Sequence, residues 1–240
     1  MEQAELIRAI RNRLRLAMNG VVATSMREKG MHYKLIFGVS LLELREIAEA
    51  FREEASVELA EALWKEDVRE LKMLATMLCP PDTFTHERAE AWVADVPYLE
   101  IAEQLARNLL WKMVEADEMA VHLLYDRQHA YARTCAFLTF VYLFTAEKPI
   151  EAAHLNAFWV EAVRTLASRA FGASSYEKRA ALTALKRYGR QSDEQAQRVL
   201  GELARFKESA DAEEREMYHD LAFEFAFEKA AQHDTIINRK

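Results

Sequence analysis

Residues 40–81 read SLLELREIAEAFREEASVELAEALWKEDVRELKMLATMLCPP, and apolar residues return there every three or four positions. Each run is opened by a side-chain oxygen and closed by a break. Ser40 suits an N-cap, with Glu43 three residues on to complete a capping box, and a helix is expected to about Phe51. Ser56 with Glu58 opens a second helix to Trp64, and Asp67 a third to Leu78, stopped by Pro80-Pro81. Helices this short, joined by connections this short, must lie antiparallel to their neighbours.

The same habit extends in both directions. A first helix is expected over Gln3–Met18, ended by Asn19-Gly20, with a short link through Gly30 to the apolar stretch Tyr33–Val39. Downstream, helices are expected over Thr85–Val93, Tyr98–Val114 (after Pro97), Glu118–Leu124, Ala130–Phe144, Ile150–Ser168, Tyr176–Tyr188, Asp193–Phe206 and Ala212–Ala231. A dozen such helices rarely close into one bundle, and a pair spacing near 40 residues predicts an all-α solenoid of stacked antiparallel helix pairs, a HEAT/armadillo-like superhelix. No linker divides the chain, so residues 1–240 read as a single repeat domain. Six glycines and four prolines are too few for the many turns of a sandwich or barrel.

The net charge is −7, but its distribution matters more. Residues 1–45 carry +4, residues 46–126 carry −12, residues 127–207 carry +6 and residues 208–240 carry −5. A chain segregated in this way can present a basic face while staying acidic in total. Two cysteines, Cys79 and Cys135, without metal-ligand spacing fit reduced thiols in a cytoplasmic protein. No leader opens the chain, and no apolar run is long enough to span a bilayer, so no membrane association is expected.

The seven histidines form no HExxH and no pair at metal-binding spacing. No glycine-rich phosphate loop and no GxSxG elbow is present, so P-loop enzymes and serine hydrolases lack support, and no cofactor is implied. Trp64, Trp92, Trp111 and Trp159, with Phe223, Phe225 and Phe227, fall at helical spacing and read as core. Two basic clusters remain. Arg8, Arg11, Arg13 and Arg15 lie on the first helix, and Lys178, Arg179, Lys186, Arg187 and Arg190 on one later helix. Lysines and arginines on stacked helices suit phosphate contacts, or else form an ordinary solvated face.

The block Tyr33–Val39 followed by Leu42, Arg45 and Ile47 resembles the entry segment of the DNA alkylation repair enzyme family, HEAT-like DNA glycosylases that excise alkylated purines. Leu63-Trp64, Val68-Arg69-Glu70, Ile101-Ala102-Glu103, Ala132-Arg133-Thr134 and Arg179-Ala180 through Tyr188 are similar to its later blocks. The resemblance spans roughly residues 3–206. It implies a basic concave groove for duplex DNA, a carboxylate that stabilises the oxocarbenium charge on the sugar, aromatic faces at the lesion and an arginine on a phosphate. An alkylated purine already carries positive charge, so electrostatic stabilisation does most of the catalytic work.

Carried over residue by residue, the catalytic aspartate of the family's W-D-x-V-D block falls on Glu103, its tryptophan on Leu99 beside Tyr98, and the phosphate-holding arginine on Arg133. The second tryptophan falls on Thr183, ahead of Ala184-Leu185-Lys186-Arg187-Tyr188. The resemblance thus names Glu103 and Arg133 as catalytic candidates, and Arg133, Lys178, Arg179, Lys186, Arg187 and Arg190 as DNA-binding candidates. Both aromatic faces are missing, so excision is expected to be weakened, altered or lost. Glu103 could instead be a surface carboxylate paired with Arg107 one turn on. A noncatalytic helical-repeat scaffold for a protein partner is the competing function.

Overall fold

The computed structural model describes residues 3–167 and 174–237, with side chains through Ala226. Thirteen α-helices and four short 3-10 turns occupy the described residues. No β-strand is present among them, and their one strand-like contact is an isolated parallel bridge between Leu35 and Val68. The all-α fold is built of stacked helix pairs in the HEAT-like manner. The chain divides into two compact units, Met1–Ala116 with Gln128–Ala132, and Asp117–Arg127 with Arg133–Lys240.

The first unit holds α1 (Gln3–Leu16), α2 (Gly20–Glu28), α3 (Leu41–Ala50), α4 (Val57–Trp64), α5 (Arg69–Leu78), α6 (His86–Ala94) and α7 (Leu99–Asn108). At its centre α5 packs on α4, α3 and α7, and every α5 residue except Met77 is buried. That burial includes three charged side chains, Arg69, Glu70 and Lys72, and a buried charge persists only when paired and hydrogen-bonded. The Glu70 carboxylate accepts from the Phe37 and Gly38 backbone N–H groups, at 3.0 and 2.9 Å, and from Arg69 Nη1 at 3.0 Å. Arg69 Nε lies 3.0 Å from both oxygens of Glu100, and its Nη1 donates to the Val39 carbonyl at 3.2 Å. Lys72 donates to the Trp64 carbonyl and to Asp95, at 2.8 and 2.7 Å, and lies over the Trp64 ring, which stacks on Trp92.

These bonds stitch the stretch Tyr33–Val39 onto the start of α5. Gly38 makes the crossing possible: its φ is +75°, and any Cβ there would strike the Asn19 carbonyl and the Ala23 nitrogen. Burial, followed by the Glu100 charge, raises the pKa of the Tyr33 phenol, and burial likewise raises that of the Glu100 carboxyl despite Arg69 beside it.

The second unit holds most of α8 (Ala116–Tyr125), then α9 (Ala132–Thr145), α10 (Ala152–Leu166), α11 (Ser175–Gly189), α12 (Asp193–Glu202) and α13 (Ala212–Ile237). Its core is aromatic. Phe158 meets Phe140 at 4.8 Å and Phe144 at 5.1 Å between ring centroids, and Tyr188 stands edge-on to Trp159 at 5.1 Å.

Local expectation and structure part at several places. The helix expected over Asp193–Phe206 ends at Glu202, before a 3-10 turn, Ala204–Phe206, and Trp111, expected in the core, is only half-buried. Asn19-Gly20 ends α1 but also starts α2, because the Asn19 side chain accepts the Val22 N–H as an N-cap. Asp67 does not cap α5; its carboxylate accepts the Lys34 N–H at 3.0 Å, and Val68 precedes the helix. The helix expected to reach Val114 stops at Asn108, where Leu109 leaves helical geometry (φ −128°, ψ −63°) and a 3-10 turn, Leu110–Lys112, follows. Phe223, expected in the core, is 74% exposed, whereas Phe225 is buried. Ser168, expected as a helix end, and the Phe227 side chain lie outside the described residues.

Candidate nucleic-acid interface

Helix α11 begins at Ser174, whose hydroxyl accepts the Glu177 N–H at 3.2 Å. Its buried positions, Ala180, Ala181, Ala184, Leu185, Tyr188 and Gly189, recur at three- and four-residue spacing and turn one side toward α10 and α12. The remaining arc carries Lys178, Arg179, Lys186, Arg187 and Arg190. Of these, Arg179, Arg187 and Arg190 are exposed, and Lys178 and Lys186 half-buried.

The half-buried cations owe their cover to α13. Lys186 Nζ lies 2.6 Å from Glu224 Oε2, Arg190 Nη2 lies 2.8 Å from Glu224 Oε1, and Lys178 Nζ stands 3.7 Å from Glu213. Phe225 seats against Gly189, where a methyl group would overlap its ring. The five basic side chains therefore fall into two sets. Lys178, Lys186 and Arg190 are neutralised by the acidic C-terminal helix, while Arg179 and Arg187 face solvent with no ion pair among the described residues. On the neighbouring α12, Arg198 lies over the Trp159 ring at 5.0 Å and reaches the Tyr188 hydroxyl at 3.4 Å.

Arg133 does not face solvent at all. It is 4% exposed, and its guanidinium donates to the Leu124 carbonyl, to Glu161 at 3.0 Å, to Thr165 Oγ1 at 2.6 Å and to Glu177 at 3.2 Å. Those bonds tie α9 to α8, α10 and α11. With four of its five N–H groups bonded internally and the side chain buried, the guanidinium is held inside the second unit rather than presented to solvent. Glu161, which is fully buried, also takes Arg127 at 2.9 Å and Arg164 at 2.6 Å.

In the first unit, Glu103 is exposed on α7 and pairs with no cation among the described residues, Arg107 included. Leu99 is half-buried, and the Thr183 hydroxyl on α11 donates to the Arg179 carbonyl at 2.8 Å. Neither position supplies an aromatic face. On the first helix, Arg11 pairs with Glu66 at 3.0 Å, while Arg8, Arg13 and Arg15 are exposed with no ion pair among the described residues. Burial pushes the Cys79 and Cys135 thiols up to about 12, so neither is a ready nucleophile. Among the described residues no group of three His, Cys, Asp or Glu is placed to hold a metal ion, and no helix is long and apolar enough to cross a membrane.

Stacked antiparallel helix pairs define a helical-repeat protein, here with a cationic face on α11. The family model for the DNA alkylation repair enzyme matches residues 10–197, and the chain belongs to that family. A solved structure from "a new family of proteins related to the HEAT-like repeat DNA glycosylases with affinity for branched DNA structures" is similar, with a TM-score of 0.68 and 13% identity. That likeness covers 82% of this chain and 81% of that one. No curated protein matches. Helix α13 lies beyond the residues that the family model matches.

Proposed function

We propose that this chain is a DNA-binding member of its family, in which binding outweighs base excision. The observation that carries the reading is the solvent-facing pair Arg179 and Arg187 on α11, within the family-matched residues and flanked by Lys178, Lys186 and Arg190. Arginine presents a planar fork of donors suited to phosphate oxygens. The structural neighbour's affinity for branched DNA adds junctions to the duplex as a substrate worth testing.

Catalysis is the weaker half. Excision of a cationic alkylpurine would draw on Glu103, but that carboxylate is open to solvent. Two unit charges 4 Å apart interact by about 4 kcal/mol at an effective dielectric of 20 and about 1 kcal/mol in water. Without an aromatic face at Leu99 to exclude water, Glu103 works near the weaker limit. Arg133 enters this reading as a positioning residue that holds α9 to α11.

Electrophoretic shift of plain duplex, methylated duplex and a four-way junction, across a salt series, tests the binding. The Arg179→Ala/Arg187→Ala variant should weaken all three alike and flatten the slope of log affinity against log salt by about 1.8, roughly 0.9 per phosphate. An unchanged slope would remove α11 from the interface. Release of 7-methylguanine and 3-methyladenine under single turnover, with Glu103→Gln alongside, tests the chemistry. Release as fast as in an aromatic-bearing relative would overturn the claim of impairment. The net charge of −12 over residues 46–126 favours a protein partner as the second reading, and the absence of any DNA shift would select it.

A further inference from the structure

A cleft of about 500 Å³ opens in the first unit between the C-terminal end of α3, the turn Arg52–Glu54, the end of α5 and the turn Leu110–Lys112. Its floor is apolar, made by Ala48, Met77, Leu78, Cys79 and the Pro80-Pro81 pair. Its rim carries Arg45, Arg52 and Lys112 against one carboxylate, Glu49. The lining therefore has a net charge of +2, although residues 46–126 as a whole carry −12.

Glu49 is already engaged, since Arg52 donates to it through both Nε and Nη2. Arg45 and Lys112 make no ion pair among the described residues. Burial and then the Arg52 charge lower the Lys112 pKa. Cations near helix C-termini interact favourably with the macrodipole, which accounts for Arg52, just past the end of α3, taken singly. It does not account for three cations lining one cleft beside apolar residues, where the Arg52 charge bears unfavourably on Lys112. An anion seated there relieves that repulsion.

The occupant must bring both an anionic head and an apolar body. We propose that this cleft binds a nucleotide, with Arg45, Arg52 and Lys112 on the phosphate and Met77 through Pro81 beneath the nucleoside. Its volume lies within the roughly 300–1,000 Å³ of small-molecule sites. The proposal does not depend on α11. The phosphate could belong to a free mononucleotide or to the 5′ end of a DNA strand.

Titration of the full chain with deoxyadenosine 5′-monophosphate, deoxyadenosine and inorganic phosphate, followed by heteronuclear NMR, tests the site. The monophosphate should saturate and the nucleoside bind at least tenfold more weakly. Arg45→Ala/Lys112→Ala should weaken the monophosphate at least tenfold, while Arg179→Ala/Arg187→Ala leaves it unchanged. That last comparison separates failure of this site from failure of the α11 interface. Glu49→Gln supplies a second readout that does not rely on the double variant folding, because freeing Arg52 should tighten binding severalfold. A 5′-phosphorylated oligonucleotide preferred over its dephosphorylated form, with the preference lost in Arg45→Ala/Lys112→Ala, assigns the phosphate to a strand end. Equal binding of the two oligonucleotides, with a saturable monophosphate, assigns it to a free nucleotide. Nucleoside binding as tight as the monophosphate, indifference to Arg45→Ala/Lys112→Ala, or no saturation up to about 10 mM, weaker than even a millimolar affinity, would overturn the proposal.

Discussion

Helices α5 and α11 both carry clusters of charge on short amphipathic segments, yet they spend that charge in opposite ways. On α5, Arg69, Glu70 and Lys72 point inward and find every partner within the first unit: Glu100, the Phe37 and Gly38 N–H groups, the Trp64 carbonyl and Asp95. On α11 the cations point outward, and three of the five are covered by carboxylates of α13, a helix beyond the family-matched residues. The lesson concerns what charge is for. Buried charge fixes the register of one segment on another, because any other register strands it without partners. Exposed charge is available to whichever anion binds best, whether that is Glu224 or a phosphate.

The largest effect should come from α5. Glu70→Ala removes the acceptor of two buried backbone N–H groups and leaves the Arg69 guanidinium short of a partner. Breaking one side of a buried pair typically destabilises by about 3–5 kcal/mol. Urea denaturation should show a loss of that size, with the stretch Tyr33–Val39 freed from α5 and its amide protection gone. A loss below about 1 kcal/mol, the usual scale of a surface ion pair, would place Glu70 with the α11 charges and collapse the contrast.

An intermediate effect is expected where α13 meets α11. Glu224 neutralises Lys186 and Arg190 together, so phosphate must displace it to use either cation. Glu224→Gln should leave folding stability nearly unchanged while tightening DNA binding severalfold and steepening its salt dependence, since up to two more cations become free for phosphates at about 0.9 in slope each. Weaker or unchanged DNA binding would show that α13 does not compete for that face.

Sequence pattern carried most of the helices because their signals are local. Ser40 with Glu43, Ser56 and Thr85 all cap where side-chain chemistry says they should. Errors arose where one residue serves two masters: Asn19 ends one helix and caps the next, and Asp67 is drawn from capping to the Lys34 N–H by the Leu35–Val68 bridge. The candidate site was legible only in part. The basic arc on α11 could be read from spacing, whereas its cover by Glu213 and Glu224 is a contact between helices distant in sequence. Its one trace was the −5 of residues 208–240 following the +6 block. Burial of Arg133 left no local trace either, since its partners Glu161, Thr165 and Glu177 lie 28 to 44 residues away.

Between buried and exposed charge lies Asp117, and it gives the smallest expected effect. Its Oδ2 accepts the Glu151 N–H at 3.1 Å and lies 2.8 Å from His154 Nδ1, tying the start of α8 to the start of α10. Partial burial pushes the Asp117 pKa up, but the His154 contact and the backbone donors outweigh it, and the net shift is downward. A carboxylate whose folded pKa is depressed contributes stability that is present above its unfolded pKa, about 3.9 for aspartate, and is lost as pH falls through the lower folded value. With both side chains about a fifth exposed, the pair is worth up to about 1 kcal/mol. Urea midpoints measured from pH 7 down to pH 2 should therefore fall more steeply for the wild-type chain than for Asp117→Asn, with the difference confined to the region below about pH 4. Curves that stay parallel through that region would remove Asp117 from the charges that hold this fold together and group it with the solvent-facing cations of α11.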